Sequence, residues 1–139
     1  MSSVQSTVEE ASASSGWPAL IQARLKESGT WATLGWLFEE RGTRPADIEL
    51  RGYVEILRAV VVKDFVATPQ GMRAVPKLSP EFLADFGRFN LSAQEGYLIS
   101  LIDGRTNIEK LLKLSPFDPF ATLFNLARLQ NQRAIVVPQ

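Results

Sequence analysis

Apolar residues recur at three- and four-residue steps through most of this chain, and the interruptions fall at Gly, Pro, Asn and Asp. Trp17-Pro18 opens the first helical stretch, because Pro suits a first turn, and Ala19, Leu20, Ala23 and Leu25 follow. Ser28-Gly29 ends it. Thr30 is placed to cap a second helix, Trp31 to Arg41, with Trp31, Leu34, Leu37 and Phe38 in helical register and Gly42 just past its end. Thr43 to Ile48 reads as a short helical turn with Pro45 near its start. Leu50 to Val60 is a longer helix carrying Tyr53, Val54, Leu57 and Val60 or Val61 on one face, although Gly52 weakens it by roughly 1 kcal/mol relative to Ala. The period then changes. Phe65-Val66-Ala67-Thr68 is extended and β-branched, Thr68 to Gly71 fits a type I turn, and Met72 to Val75 returns as a second strand, so a hairpin is expected here.

Pro76 closes that stretch. Ser79-Pro80 opens a helix to about Phe89, with Phe82, Leu83 and Phe86 as its apolar stripe. Asn90-Leu91 breaks it. Ser92 to Glu95 is a capping box for a helix carrying Tyr97, Leu98, Leu101 and Ile102, which Asp103-Gly104 stops. Thr106 to Glu109 reads as a second capping box, opening Asn107 to Leu114. Asp118-Pro119 begins a longer helix with Phe120, Leu123, Phe124, Leu126 and Leu129, ending at Asn131 or Gln132, and Ala134 to Val137 is a terminal strand. Each half thus has the element order of a winged helix-turn-helix. The expected fold is mainly α with short β-hairpins, in two winged-helix-like units packed together, since units of roughly 45–50 residues are small for a lone core. The expected divisions are a disordered tail over 1–16, a first unit over 17–78, a connecting helix over 79–90 and a second unit over 91–139.

Composition narrows the chemistry. The 139 residues include no Cys and no His, and 15 Lys and Arg balance 15 Asp and Glu. Disulfides, thiol nucleophiles, Cys-based zinc sites and the Ser-His-Asp triad are therefore excluded, as is the commonest general base. Carboxylate-only chemistry remains open, but no spacing singles such a site out. No apolar run approaches the ~18–20 residues that span a bilayer. Met1 to Ser15 lacks the basic and apolar regions of a secretory signal and carries Glu9 and Glu10 instead, in keeping with a cytoplasmic chain.

Two stretches resemble known families. Leu34 to Val75, above all Leu50 to Val66 followed by Thr68-Pro69-Gln70-Gly71, resembles the N-terminal winged helix of small-molecule methyltransferases, a module that usually mediates dimerisation. The glycine-rich cofactor loop of those enzymes has no counterpart here, so their activity does not carry over. Leu91 to Arg105, followed by Ile108, Leu111-Leu112 and Leu114-Ser115-Pro116, resembles the C-terminal module of PATAN-type bacterial signalling proteins. It is similar, more distantly, to PqqD-like winged helices, which bind peptides. These resemblances imply small winged-helix folds and an interaction role, without naming a substrate.

The candidate site residues are aromatic, apolar or basic. Arg105 follows the Asp103-Gly104 turn and offers an anchor for a carboxylate or phosphate; its bland alternative is that Gly104 ends the helix while Asp103 or Arg105 solvates the loop. Trp31 and Trp36 point about 140° apart on a helix, so both are buried only if that helix is covered on two sides. Phe117, Phe120 and Phe124 cluster toward the other end of the chain, and Ile135 and Val137 lie on a strand open to strand addition. Residues 1–78 hold nine Lys/Arg and nine Asp/Glu, and residues 79–139 hold six of each, so neither half has the basic surplus that a DNA-binding winged helix needs. The expected function is a non-catalytic bacterial adaptor or regulatory module with a protein partner or self-association, no metal and no cofactor. The alternatives are a winged-helix transcription regulator and a non-catalytic fragment of a biosynthetic methyltransferase.

Overall fold

The computed structural model describes residues 16–138, so the expected disordered tail lies, but for Gly16, outside the described residues. The chain is mainly helical, with one two-stranded antiparallel sheet among the described residues. It divides into two compact units between Ala59 and Val60.

In the first unit, α1 (Trp17–Thr43) is broken at Gly29, whose φ of 85° and ψ of 177° are open essentially to Gly alone. The break reverses the chain. In an unbroken helix Trp17 and Trp36 would lie about 28 Å apart along the axis; here their rings stack edge-on at 5.8 Å, and the Arg24 guanidinium sits 4.0 Å from the Trp36 ring centre. The two arms of α1 are therefore a helical hairpin. A turn at Pro45–Ala46 leads to Asp47, which caps α2 (Ile48–Val66) by accepting from the Leu50 N–H at 3.0 Å. The other Asp47 carboxylate oxygen accepts from the Trp17 indole at 3.1 Å. One carboxylate thus ties the start of α1 to the start of α2.

Helix α2 runs past the expected end at Val60. Leu50, Val54, Leu57, Val61 and Phe65 are buried at steps of four, three, four and four, so one helical stripe continues to the last turn. Burial of that stripe outweighs the β propensity of Phe65-Val66, and the expected hairpin over 65–75 is not formed. The turn within it is present: the Gly71 N–H donates to the Thr68 carbonyl at 3.0 Å and to its hydroxyl at 2.9 Å. Gly71–Arg73 then make a single 3-10 turn instead of a strand.

The sheet in the second unit joins β1 (Lys77–Leu78) to β2 (Ile135–Val136), pairing Lys77 with Val136 and Leu78 with Ile135. The expected helix over 80–89 is also shorter. It breaks at Asp85 into α3 (Pro80–Ala84) and a 3-10 turn at Phe86–Arg88. Three further helices follow: α4 (Ala93–Leu101), α5 (Ile108–Leu114) and α6 (Pro119–Asn131). Leu98, Ile108, Leu111, Phe124 and Leu129 supply buried apolar side chains, with α4 and α5 both against α6. The Ser92–Glu95 capping box is formed in both directions. The second expected box is not: Asn107 caps α5 by accepting from the Lys110 N–H at 2.8 Å, while the Thr106 hydroxyl donates back to Asp103 at 3.1 Å.

Candidate functional site

The first unit gathers Trp17, Leu20, Trp36, Glu40 and Arg44 around an open hollow of about 260 Å³. Arg44 lies 5.6 Å from the Trp17 ring centre and 3.8 Å from the Glu40 carboxylate, and Arg24 covers Trp36. The indole faces are thus met by cations of the same unit. Asp47 beneath them is held below the ordinary carboxyl value of 3.8, first by the Leu50 N–H and then by the Trp17 indole. Trp36 therefore sits half-buried in this cluster, and Trp31 is half-buried as well.

In the second unit Ser79 organises the surface. Its side chain accepts from the Phe82 N–H at 3.0 Å, capping α3, and donates to the Arg133 carbonyl at 2.6 Å. Its own N–H donates to the Ala134 carbonyl at 3.0 Å. Phe82 points inward, and Phe86 and Phe89 stack on it at 6.0 and 5.3 Å. The break at Asp85 leaves Phe86 68% exposed, beside Leu83 at 64%. Two large apolar side chains thus stand in water within four residues.

Facing this segment is the end of α6. Arg133 has φ 67°, its N–H donates to the Gln130 carbonyl at 3.0 Å, and the Ala134 N–H donates to the Leu129 carbonyl at 2.9 Å. This is a Schellman termination with Arg at the position where Gly is usual. Glu81, Arg88, Phe89, Asn90, Gln132 and Arg133 line an open hollow of about 470 Å³. Arg88 pairs with Glu81 at 3.4 Å and lies 5.1 Å from the Phe89 ring centre.

The sequence-predicted residues are scattered over other places. Asp103 accepts from the Arg105 N–H at 2.8 Å and the Thr106 N–H at 2.9 Å, which, with the Thr106 hydroxyl, hold its carboxyl below the ordinary range. Gly104 takes φ 76° in that turn. Arg105 thus serves the turn through its backbone, with its side chain exposed. Phe117 packs edge-on against Tyr97 at 5.9 Å, and Phe120 is half-buried in the first turn of α6. Ile135 and Val137 are buried at 2% and 5%, and the strand presents Val136 to solvent at 52%. Leu83, Phe86, Arg88 and Arg133 were not singled out as site residues from the sequence. Leu83 and Phe86 stand in the periodic stripe of an expected helix, whose break at Asp85 the sequence did not announce. Arg at a helix C′ position was the one local signal for Arg133.

Comparison with protein-family models, with characterised proteins and with solved structures gives no match for this chain. What the fold defines is a mainly helical chain of two units, with a small antiparallel sheet in the second. Among the described residues no helix is long and apolar enough to cross a membrane.

Proposed function

We propose that this chain is a non-catalytic adaptor or regulatory module of the bacterial cytoplasm that binds a protein partner. The observation that carries the reading is the exposure of Leu83 and Phe86, seated on the buried Phe82. Aromatic side chains are enriched at protein interfaces, and one already packed on a buried neighbour loses less freedom on binding. The order α4, α5, α6, β2 supports the winged-helix-like reading of the second unit, with its sheet completed by the upstream β1. Charge favours protein over nucleic acid. Arg128, the one basic residue of α6, lies 3.6 Å from Glu95, and Arg58 of α2 lies 3.0 Å from Glu55.

The test places a photo-crosslinking benzoylphenylalanine at position 86, with exposed Glu109 as the control position. A discrete adduct at 86, in cells or on titrating the pure chain with itself, is expected. No adduct at 86, with a monomer at all concentrations in sedimentation, would overturn the reading. Salt-sensitive duplex binding instead would establish a transcription regulator.

A further inference from the structure

We infer that the hollow between the 81–90 segment and the end of α6 recognises a carboxylate, and that its occupant is an Asp or Glu side chain of a partner peptide. The inference rests on the partner-binding reading and gives it a chemistry. Arg88 and Arg133 both line the hollow from separate segments, with Glu81 the one acidic residue among the residues lining it. Asn90 adds a neutral amide, while that of Gln132 donates to Glu95 at 3.4 Å. The Arg88–Glu81 pair is exposed on both sides, so an incoming carboxylate exchanges for it at little cost. The Arg88 guanidinium also lies 5.1 Å from the Phe89 ring centre, a cation–π contact that persists when the carboxylate partner is exchanged.

Arg133 is the more telling residue. Everything the turn requires of position 133 is backbone: its N–H reaches Gln130 and its carbonyl receives the Ser79 hydroxyl. Gly would do this without strain, whereas Arg holds φ 67°. Among the described residues the Arg133 side chain makes no ion pair. The strained backbone thus carries a side chain with no ion pair of its own, at a residue lining a hollow that Arg88 also lines. The occupant follows from charge and rim. Two arginines lining one hollow suit an anionic carboxylate, and the exposed Leu83 and Phe86 lie in the same 81–90 segment for an apolar neighbour of that acid. A nucleic-acid backbone needs a longer run of cations than a segment that also carries Glu81 and Asp85.

The test pans the full chain against a displayed library of random heptapeptides. The recovered peptide, and its counterpart with Gln or Asn in place of the acid, are then titrated by calorimetry. Recovered peptides are expected to share an acid beside an apolar residue. Arg133→Gly and Arg88→Gln should each weaken binding roughly tenfold, the loss of one charge-assisted contact. Arg133→Gly relieves the backbone, so a melting temperature at or above that of the parent shows that lost binding is not lost folding. Unchanged affinity in Arg133→Gly, or recovery of no peptide, overturns the carboxylate site. Acid-free peptides that bind the parent but not Phe86→Glu also overturn it, yet leave the partner-binding reading standing. That reading falls only with the crosslinking result at position 86.

Discussion

Replacing Gly29 by Ala isolates the cost of the reversal in α1. A Cβ built at Gly29 meets no atom within 4 Å, so the substitution changes backbone energetics and no packing. The φ of 85° with ψ of 177° belongs to a region that costs an L-residue about 1–3 kcal/mol. Ala also restricts the unfolded chain, which returns about 0.4–1 kcal/mol. The net expectation is a destabilisation of about 1–2 kcal/mol. Gly52→Ala is the matched control, because Gly52 lies inside α2 with equally open space, and Ala should stabilise there by about 0.8–1 kcal/mol. Urea unfolding followed by tryptophan fluorescence reads the first unit directly, since Trp17, Trp31 and Trp36 all lie in it. Straightening α1 to escape the strain would separate Trp17 from Trp36 and should change the near-ultraviolet dichroism that their 5.8 Å contact is expected to give. If both variants shift the midpoint in the same direction with that dichroism intact, the reversal at Gly29 is not there.

Three further outcomes follow from the same geometry. Glu95, 0% exposed, accepts from the Ser92 N–H at 2.8 Å and faces Arg128 and Gln132; Glu95→Ala should cost about 2–3 kcal/mol in chemical denaturation, whereas Glu95→Gln, which keeps the cap, should cost under about 1 kcal/mol, and equal losses would refute the capping role. Ser79→Ala removes a helix cap and leaves the Arg133 carbonyl short of a donor, for a loss of about 2–3 kcal/mol that hydrogen exchange should show first at the amides of Phe82 and Ser79; an unchanged exchange pattern would contradict it. Asp47 has its folded pKa depressed below the ordinary 3.8, so its contribution is complete above that value and is lost as pH falls through the folded pKa. Tryptophan fluorescence should report loosening of the first unit on acidification below about pH 4, and Asp47→Asn should remove that component of the pH dependence.

Local chemistry was legible in the residues. The break at Ser28-Gly29, the Ser79 cap, the Ser92–Glu95 box, the Asp118 cap and the end of the last helix at Asn131 all appear where the sequence placed them. Each depends on dihedral freedom or on a side chain reaching its own backbone two or three residues away, so no distant contact is needed to specify it. Where two local signals competed, the sequence alone did not arbitrate. Phe65-Val66 carries both strand propensity and the continuing stripe of α2, and burial of Val61, Val62 and Phe65 decided for helix. The Thr106–Glu109 box expected from the sequence did not form, because the Thr106 hydroxyl was drawn to the carboxylate of Asp103 and Asn107 took the cap.

What only the tertiary structure decided is non-local. Lys77–Leu78 carries no strand signal of its own and becomes one by pairing with Ile135–Val136, more than fifty residues away. That pairing sets Val136, rather than Ile135 or Val137, toward solvent. The stapling of Ser79 to Arg133 then brings Arg88 and Arg133 to one hollow, and the break at Asp85 leaves Phe86 exposed. By itself the sequence determined where most helices start, several of their caps and a composition without His, Cys or net charge. Which of its many apolar and basic side chains face one another, and which face water, depended on contacts between residues far apart in the chain, where periodicity and capping carry no information.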